Sequence, residues 1–343
     1  MAVSQLRTVR LDQGLGLAIS LVSPPEPGVA ACLRQFLSHK PPSDFRAIRQ
    51  RLEGRYADQC FDRYFVAQAG ERIVAQVWYG LGNERTGIGN FGHAYTDPQF
   101  RRMGIMKLLL DDLLRDFDAS PGVCLLCTGE APASTYYHQV GFEFIVPGER
   151  TGHDPMALVK KQYAGDFSHL EQQYFAPGRP VTTRLGTIAD RHDCDRMLDF
   201  ASALRAAAPQ WRKLFAACRA PTFIDALYMV EDGLGIATVL ATSGGQIVGH
   251  ASVLNVGSPA ERGLHVLDYV VHPNYYCDIP DFVVGTVALA RRHGIGGMVA
   301  FVPEASATKL SGLTSAGFTE ACRFSDSLDT QGQLDDIVML CLR

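Results

Sequence analysis

The feature that most constrains this chain is an internal repeat with a period of about half its length. The segment Ala94-Tyr-Thr-Asp-Pro98 precedes a long amphipathic helix, a buried strand, a short helix and Val140-Gly-Phe142. The same order of elements follows Tyr269-Val-Val-His-Pro273 and ends at Ala316-Gly-Phe318. The two prolines are 175 residues apart and the two Gly-Phe pairs are 176 apart. A fixed period of this kind indicates two copies of one fold rather than one large domain.

Composition agrees with two soluble, compact domains. The chain has 343 residues, of which 47% are hydrophobic and 20% charged, so each copy can bury a core. The formal net charge is −4, whereas a general nucleic-acid binder would usually have a basic surplus. The start of the chain has no apolar signal-peptide core, and no apolar run is long enough to span a membrane. We therefore expect a cytoplasmic protein that binds neither nucleic acid nor membrane.

The cysteines predict free thiols rather than disulfides or a metal site. There are nine of them, an odd number without a regular spacing, which is typical of a reducing compartment. Cys124 and Cys127 form a CxxC inside an apolar run, but residues three apart on a strand point to opposite faces. We interpret both as core cysteines, and we predict no metal ligands.

Turn-forming residues divide the chain into three parts. Residues 1–162 form the first copy, residues 163–180 a connection that ends in Pro-Gly-Arg-Pro, and residues 181–343 the second copy. Tyr174 and Phe175 of the connection are expected to be exposed and to pack between the copies. In the second copy we predict a strand near 226–231 and helices near 188–205 and 209–218.

The segment from Thr96 to Met106 connects a predicted strand to a predicted helix, and its physics favours an anion. The first backbone N–H groups of a helix have no intrahelical partner, and they lie at the positive end of the helix dipole. Gly104 permits close approach of a ligand to the backbone, and Arg101 and Arg102 add positive charge. This pattern predicts a pyrophosphate site. The alternative is an ordinary turn with two solvated arginines.

This segment resembles motif A of the GNAT superfamily, the acyl-CoA-dependent N-acetyltransferases. That motif has Arg or Gln, two residues, Gly, one residue, and then Gly or Ala, and here Arg101, Gly104 and Met106 take those places. Met106 departs from the motif, so its side chain must point away from the phosphate or the loop must widen. Further along, Tyr137-His-Gln-Val-Gly-Phe142 resembles motif B. Together the motifs cover roughly residues 60–146.

The resemblance implies a fold and a cofactor. The expected fold class is α/β, with two tandem GNAT-like domains, each a mostly antiparallel mixed sheet with a parallel central pair flanked by helices. Acetyl-CoA is the implied co-substrate, and backbone N–H groups near residues 94–96 would hold the thioester oxygen. The residues implied to bind it are Ala94, Tyr95, Thr96, Arg101, Arg102, Met103, Gly104, Ile105, Met106, Ser134 and Tyr137.

Three residues are candidates for the chemistry. In the family, the tyrosine that matches Tyr137 protonates the departing thiolate, although a tyrosine at this place could equally be a core residue; Tyr136 is one residue out of register. Glu130 could act as base, bind the pantetheine arm, or cap the helix expected to begin near Ala131. His93 could act as base, because histidine titrates near neutral pH, or it could lie on the face opposite the cofactor.

The second copy lacks both motifs. It has Asp278-Ile-Pro-Asp281 where a phosphate would bind, and Leu313 in the place of the motif B tyrosine. We expect a degenerate copy that serves as scaffold, as wall of the substrate pocket, or as the surface of a homodimer.

Three functions are therefore open. The leading hypothesis is transfer of an acetyl group from acetyl-CoA to the amine of a small molecule by direct attack on the thioester. The second is acylation of a protein amino group or use of a longer acyl chain. The third, which Met106 favours, is a CoA-binding or sensing protein without turnover. The identity of the acceptor does not follow from the sequence.

Overall fold

The computed structural model describes residues 3–11, 14–83, 86–130, 132–145, 154–197, 223–255, 264–330 and 333–343. The chain divides into two compact units, Met1–Phe167 and Ser168–Arg343. Among the described residues, no helix combines the length and the hydropathy that crossing a membrane requires.

The first unit is one eight-stranded sheet with helices on both faces. Its elements are β1 (Val3–Arg10), β2 (Gly16–Val22), α1 (Pro27–Phe36), α2 (Pro42–Leu52), β3 (Phe61–Ala69), β4 (Arg72–Asn83), β5 (Ile88–Thr96), α3 (Ile105–Ala119), β6 (Cys124–Gly129), α4 (Ala133–Gln139), β7 (Glu143–Phe144) and β8 (Asp154–Val159). The strand order is β1-β2-β3-β4-β5-β6-β8-β7. Strands β5 and β6 are parallel and the other neighbours are antiparallel, which confirms the predicted mixed sheet.

Two hydrophobic clusters cover the two faces of this sheet. The apolar stripe of α3 recurs every three to four residues and packs on one face, which we call the α3 face. The hydrophobic cluster on this face contains Ile105, Leu109, Leu110, Leu113 and Phe117 of α3, together with Phe65, Val77, Tyr79 and Phe91 of the strands. Helices α1 and α2 cover the other face, which we call the α1–α2 face. The cluster there contains Leu33, Leu37, Ile48, Leu52, Tyr64, Val66 and Trp78.

Strands β5 and β6 separate soon after they pair. Their parallel ladder joins only residues 88–90 to residues 124–126, while β5 continues to Thr96 and β6 to Gly129. A bulge bends β5 at this point, because Trp78 of β4 opposes Gly92 whereas Gln76 opposes Tyr95. We call the space between residues 91–96 and residues 127–129 the fork.

The second unit repeats this topology. Its elements are α5 (Phe167–Tyr174), β9 (Val181–Leu185), α6 (Arg191–Asp195), α7 (Phe223–Glu231), β10 (Gly235–Thr242), β11 (Ile247–Asn255), β12 (His265–Val271), α8 (Ile279–Arg292), β13 (Met298–Pro303), α9 (Ala307–Ser315), β14 (Thr319–Thr330) and β15 (Gln333–Leu342). The strand order β9-β10-β11-β12-β13-β15-β14 matches that of β2 to β8, and β12 and β13 form the parallel pair.

One expectation for this half is wrong. Residues 226–231 belong to helix α7, whose buried side chains include Phe223, Ile224, Leu227 and Tyr228. An apolar run this short fits a buried strand and a buried helix equally well. The expected helices 188–205 and 209–218 lie largely outside the described residues, which begin that region with a 3-10 turn at residues 188–190 and α6.

Most of the expected connection, residues 168–180, belongs to the second unit. Its residues 168–174 form most of α5, and Tyr174 and Phe175 are 5% and 1% exposed. The Tyr174 hydroxyl donates to Asp193 and accepts from the backbone N–H of Ile247 at 2.8 Å. Both aromatic rings therefore complete the core of this unit, and the prediction that they are exposed is wrong.

Candidate active site

The turn after β5 leaves a helix N-terminus uncovered. Asp97 ends the strand and accepts a hydrogen bond from the backbone N–H of Gln99 at 2.9 Å, which starts a 3-10 turn over Pro98–Phe100. The chain then passes through two left-handed residues, Arg102 (φ 64°) and Gly104 (φ 77°), before α3 begins. Glycine adopts this conformation at the least cost. A Cβ on Gly104 would have no atom within 4 Å, so this part of the turn faces open space.

The first turn of α3 fits an anion. Gly104 is the N-cap and provides no side-chain hydrogen bond, and the first turn contains no acidic residue. The N–H groups of Ile105, Met106 and Lys107 therefore lie at the positive end of a 15-residue helix without a side-chain cap. A phosphate group satisfies both the backbone donors and the dipole.

The methionines of this turn do not block it. Ile105 is buried, and Met103 and Met106 are half-buried and pack against the cluster of the α3 face. The side chain of Met106 thus points towards the core. Met106, the one residue that departs from the motif, therefore does not narrow the turn with its long side chain.

The two arginines are exposed and differ in their contacts. Arg101 folds back on β5, where its Nε donates to the carbonyl of Thr96 at 3.1 Å and its guanidinium lies 5.8 Å from the ring centre of Tyr95. Arg102 holds the left-handed position beside Gly104. Both add positive charge next to the N-terminus of α3.

The end of β5 sends its side chains to alternate faces. Ala94 packs on the α3 face, while Tyr95 packs on the α1–α2 face. There the Tyr95 ring lies 5.2 Å from Phe36 and 4.0 Å from His39. Since β5 is bulged here, its residues between Gly92 and Tyr95 are not in regular register with β4. This irregular stretch forms the β5 side of the fork.

Tyr137 lies on the α3 face, close to the fork. Its ring packs edge-on against Phe91 at 5.0 Å and lies 5.9 Å from Phe142. Burial raises the pKa of Tyr137 above the ordinary value for tyrosine, and the nearby Cys127 sulfur adds to the rise. The phenol is therefore neutral at pH 7 and can donate a proton. Tyr136 differs, because its hydroxyl is buried without a hydrogen-bond partner among the described residues.

Glu130 precedes helix α4, and Ser134 lies in its first turn. Helix α4 begins at Ala133 with Pro132 as its N-cap, two residues later than expected. The carbonyl of Glu130 accepts from the backbone N–H of Ser134 at 2.9 Å. Glu130 is exposed, whereas Ser134 is 3% exposed and packs so closely on Gly129 that a Cβ there would lie 2.8 Å from it.

His93 occupies the bulge of β5 on the side away from Tyr137. Its backbone is left-handed (φ 54°), and its ring lies 5.1 Å from Trp78, a member of the α1–α2 face. The structure therefore places His93 and Tyr137 on opposite sides of the fork.

Two further residues lie at this site that the sequence did not assign to it. Cys127, interpreted above as a core cysteine, is a buried free thiol near Tyr137, and burial raises its pKa. Gln76 is fully buried in β4, where its amide donates to the carbonyl of His93. A signal for Gln76 exists, since it is the lone polar residue in the apolar run from Ile73 to Leu81. No group of three or more His, Cys, Asp or Glu in the described part of the chain could hold a metal ion.

In the second unit the corresponding space is filled. Counting back from the turn, Tyr269 stands in the place of Ala94, and its hydroxyl donates to the carbonyl of Lys309 at 3.0 Å. The Lys309 ammonium forms a buried ion pair with Asp268. Gly312 of α9 leaves just enough room, because a Cβ there would lie 2.7 Å from the Tyr269 hydroxyl and 2.3 Å from Ile279.

Part of the first unit matches a known protein family. Residues 61–144 match the family model of the acetyltransferase (GNAT) domain. No curated protein matches the chain in sequence.

Several solved structures are similar to part of the chain. The ribosomal-protein-S18-alanine N-acetyltransferase from Escherichia coli is 16% identical, with 48% of this chain and 93% of that chain covered and a TM-score of 0.36. The ribosomal-protein-S5-alanine acetyltransferase from Vibrio fischeri is 13% identical, with coverages of 47% and 91% and a TM-score of 0.37. An acetyltransferase structure from Salmonella typhimurium, solved with acetyl-CoA as its cofactor, is 18% identical, with coverages of 48% and 93% and a TM-score of 0.34.

Proposed function

We propose that the first unit, in which residues 61–144 match the family model of the acetyltransferase (GNAT) domain, transfers an acetyl group from acetyl-CoA to the amine of a small molecule. The observation that carries the proposal is the uncapped N-terminus of α3, which opens onto free space at Gly104, at the end of the turn that follows the strand bordering the fork. The pyrophosphate of CoA would bind the N–H groups of Ile105 to Lys107, with Arg101 and Arg102 beside it.

When bound, acetyl-CoA supplies an acetyl group activated as a thioester. Strand β5 pairs with β6 only as far as Asn90, and the bulge takes His93 and Ala94 out of register with β4, so backbone N–H groups near Ala94 to Thr96 can face the fork. Donors of this kind, fixed in a water-poor gap, can hold the thioester oxygen as it gains negative charge. Ser134 lies buried at the other edge of the fork, where it can contact the pantetheine arm.

Tyr137 is proposed as the general acid. The raised pKa of Tyr137 keeps the phenol protonated. The side chain lies on the α3 face, which is the side on which the N-terminus of α3 would hold the cofactor. A phenol held beside the CoA sulfur can donate a hydrogen bond to the departing thiolate and pass it the proton as the C–S bond breaks. Because alkyl thiols, with pKa values of about 8.5, are stronger acids than phenols, the phenolate then regains a proton from solvent.

The attacking amine also has to lose a proton, and the group that takes it must lie on the side of the fork away from Tyr137. His93 lies on the α1–α2 side of the fork, opposite Tyr137, which is the arrangement that separate acid and base require. Glu130, exposed at the end of β6, is the second candidate for the base. We favour His93 because of this opposition across the fork.

The alternative of a CoA sensor without turnover rested on Met106. Since that side chain packs on the core, the feature that favoured the alternative does not obstruct the turn. Acylation of a protein amino group stays the second candidate for the acceptor.

The direct test is release of CoA thiol by the purified chain in the presence of a panel of small amines and of peptides with a free N-terminus. We expect thiol release that requires an amine, with the acetylated amine identified by mass spectrometry. Tight acetyl-CoA binding without amine-dependent thiol release would instead identify a sensor.

A further inference from the structure

Gln76 has an unusual environment for a side chain in the middle of a sheet. It is fully buried in β4, and its Nε2 donates to the carbonyl of His93 at the bulge. Only the NH₂ end of the amide can make this bond, so the orientation of the amide is determined. Its Oε1 then has no hydrogen-bond partner among the described residues.

The side chain of Gln76 lies on the α1–α2 face. Gln76 is directly opposite Tyr95 in the ladder, and directly opposed residues share a face of the sheet. Tyr95 packs on the cluster of the α1–α2 face, and so does Trp78, two residues after Gln76 on the same strand. The free amide oxygen is therefore on the side of the fork opposite Tyr137, next to the carbonyl of His93.

Buried acceptors are nearly always paired in native proteins, so an unpaired one needs an explanation. Here the unpaired oxygen lies at the one irregular point of the β4–β5 ladder that borders the fork. A ligand that enters the fork from the α1–α2 side and carries an N–H group would satisfy it.

We propose that Gln76 Oε1 accepts a hydrogen bond from the acceptor amine and directs its lone pair at the thioester carbon; this inference rests on the proposed function. The C–N bond forms as the C–S bond breaks, Tyr137 gives its proton to the sulfur, and the amine proton passes to His93 or water. A neutral amide does not take up a proton at pH 7. Gln76 therefore binds and orients the amine and is not the base.

The test uses hydroxylamine as a minimal amine probe, since it is neutral at pH 7 and needs no specific acceptor pocket. Gln76→Met keeps the length of the side chain and removes both polar atoms. Loss of one buried hydrogen bond to the amine should raise the KM for hydroxylamine by about tenfold. We expect a much smaller change in kcat and an unchanged acetyl-CoA affinity, with a lower melting temperature because the carbonyl of His93 loses this buried donor. Gln68→Met, a substitution of the same type in neighbouring β3, is the matched control and should behave as wild type.

A second variant separates the two ends of the amide. Gln76→Glu keeps an acceptor oxygen, so its KM for hydroxylamine should stay closer to wild type than that of Gln76→Met. Equal increases in KM in both variants would assign the effect to the contact with His93 and overturn the proposal, as would an unchanged KM in Gln76→Met. Joint loss of acetyl-CoA binding and folding would show a structural role and also overturn it. Wild-type transfer to hydroxylamine, measured above the uncatalysed reaction of hydroxylamine with acetyl-CoA, tests the proposed function separately, because it does not depend on either variant.

Discussion

The two units share a strand order, yet the turns that follow their central strands differ. In both, the residue before the proline caps a 3-10 turn: Asp97 accepts from Gln99, and His272 Nδ1 accepts from the backbone N–H of Asn274 at 3.2 Å. In the first unit the turn is followed by a loop that ends at Gly104. In the second, the 3-10 turn Pro273–Asp278 runs directly into α8. The second unit therefore has no open loop at its helix N-terminus.

The central strands differ as well. Strand β5 is bulged at His93, whereas β12 pairs with β11 in unbroken register from His265 to Val271. Tyr269 and the Lys309–Asp268 pair occupy the space beside β12. Asp281 adds a negative charge to the first turn of α8, where α3 has none. A shared topology therefore does not by itself produce the turn proposed to bind the cofactor: a bulge, a glycine loop and a small residue at position 94 distinguish the first unit.

The largest expected effect concerns the turn of the first unit. We expect Gly104→Asp to abolish acetyl-CoA binding, because a carboxylate would project into the space proposed for the pyrophosphate and repel it. Gly104→Asn has nearly the same shape without the charge and should weaken binding much less. Gly294→Asp is a matched control in the second unit, since Gly294 also has a left-handed backbone (φ 81°) and open space around it. Fluorescence or calorimetric titration measures the affinities. Equal binding by the Asp and Asn variants would contradict an anion site at this turn.

The next effect concerns the proposed acid. Tyr137→Phe should lower kcat by at least about tenfold, because general acid catalysis contributes about a hundredfold or more. The affinity for acetyl-CoA should stay nearly unchanged, since the interaction is made in the transition state. Tyr136→Phe is the control and should have little effect. Both variants keep the ring, so steady-state kinetics report the hydroxyl alone. Full turnover by Tyr137→Phe would mean that another group protonates the thiolate.

The smallest effect on function is expected from the second unit. Lys309→Met leaves the Asp268 carboxylate buried without its partner, and loss of one member of a buried ion pair costs roughly 3–5 kcal/mol of unfolding free energy. Urea denaturation should show this loss, while acetyl-CoA affinity and turnover stay at wild-type values. The double variant Lys309→Met/Asp268→Asn should recover part of the stability. A fall in acetyl-CoA affinity with the folded state intact would show that the second unit takes part in binding.

The sequence predicted the elements that repeat and the turn that carries the glycine. The paired prolines and Gly-Phe segments located both sheets, and the apolar spacing of α3 identified its buried face. Strand β1 was not predicted, because its mostly exposed residues have little apolar alternation. Helix α7 was mistaken for a strand, because its short apolar run carries no clear period.

The site could be predicted only in part. The turn motif and the aromatic residue before Gly-Phe are local in sequence, so Gly104 and Tyr137 could be named. The position of His93 opposite Tyr137 depends on the bulge, which is a property of the pairing between β4 and β5. The contact between Gln76 and the His93 carbonyl joins residues 17 apart across the same ladder, and no local pattern encodes it. The Lys309–Asp268 ion pair beside β12 in the second unit likewise joins residues 41 apart.

The measurement that tests this account most directly is the stoichiometry of acetyl-CoA binding by isothermal titration calorimetry on the full chain. The open turn of the first unit and the filled space beside β12 in the second unit predict one site per chain, and Gly104→Asp should remove it entirely. Two equivalent sites per chain, or one site that survives in Gly104→Asp, would contradict the assignment of the cofactor to the first unit.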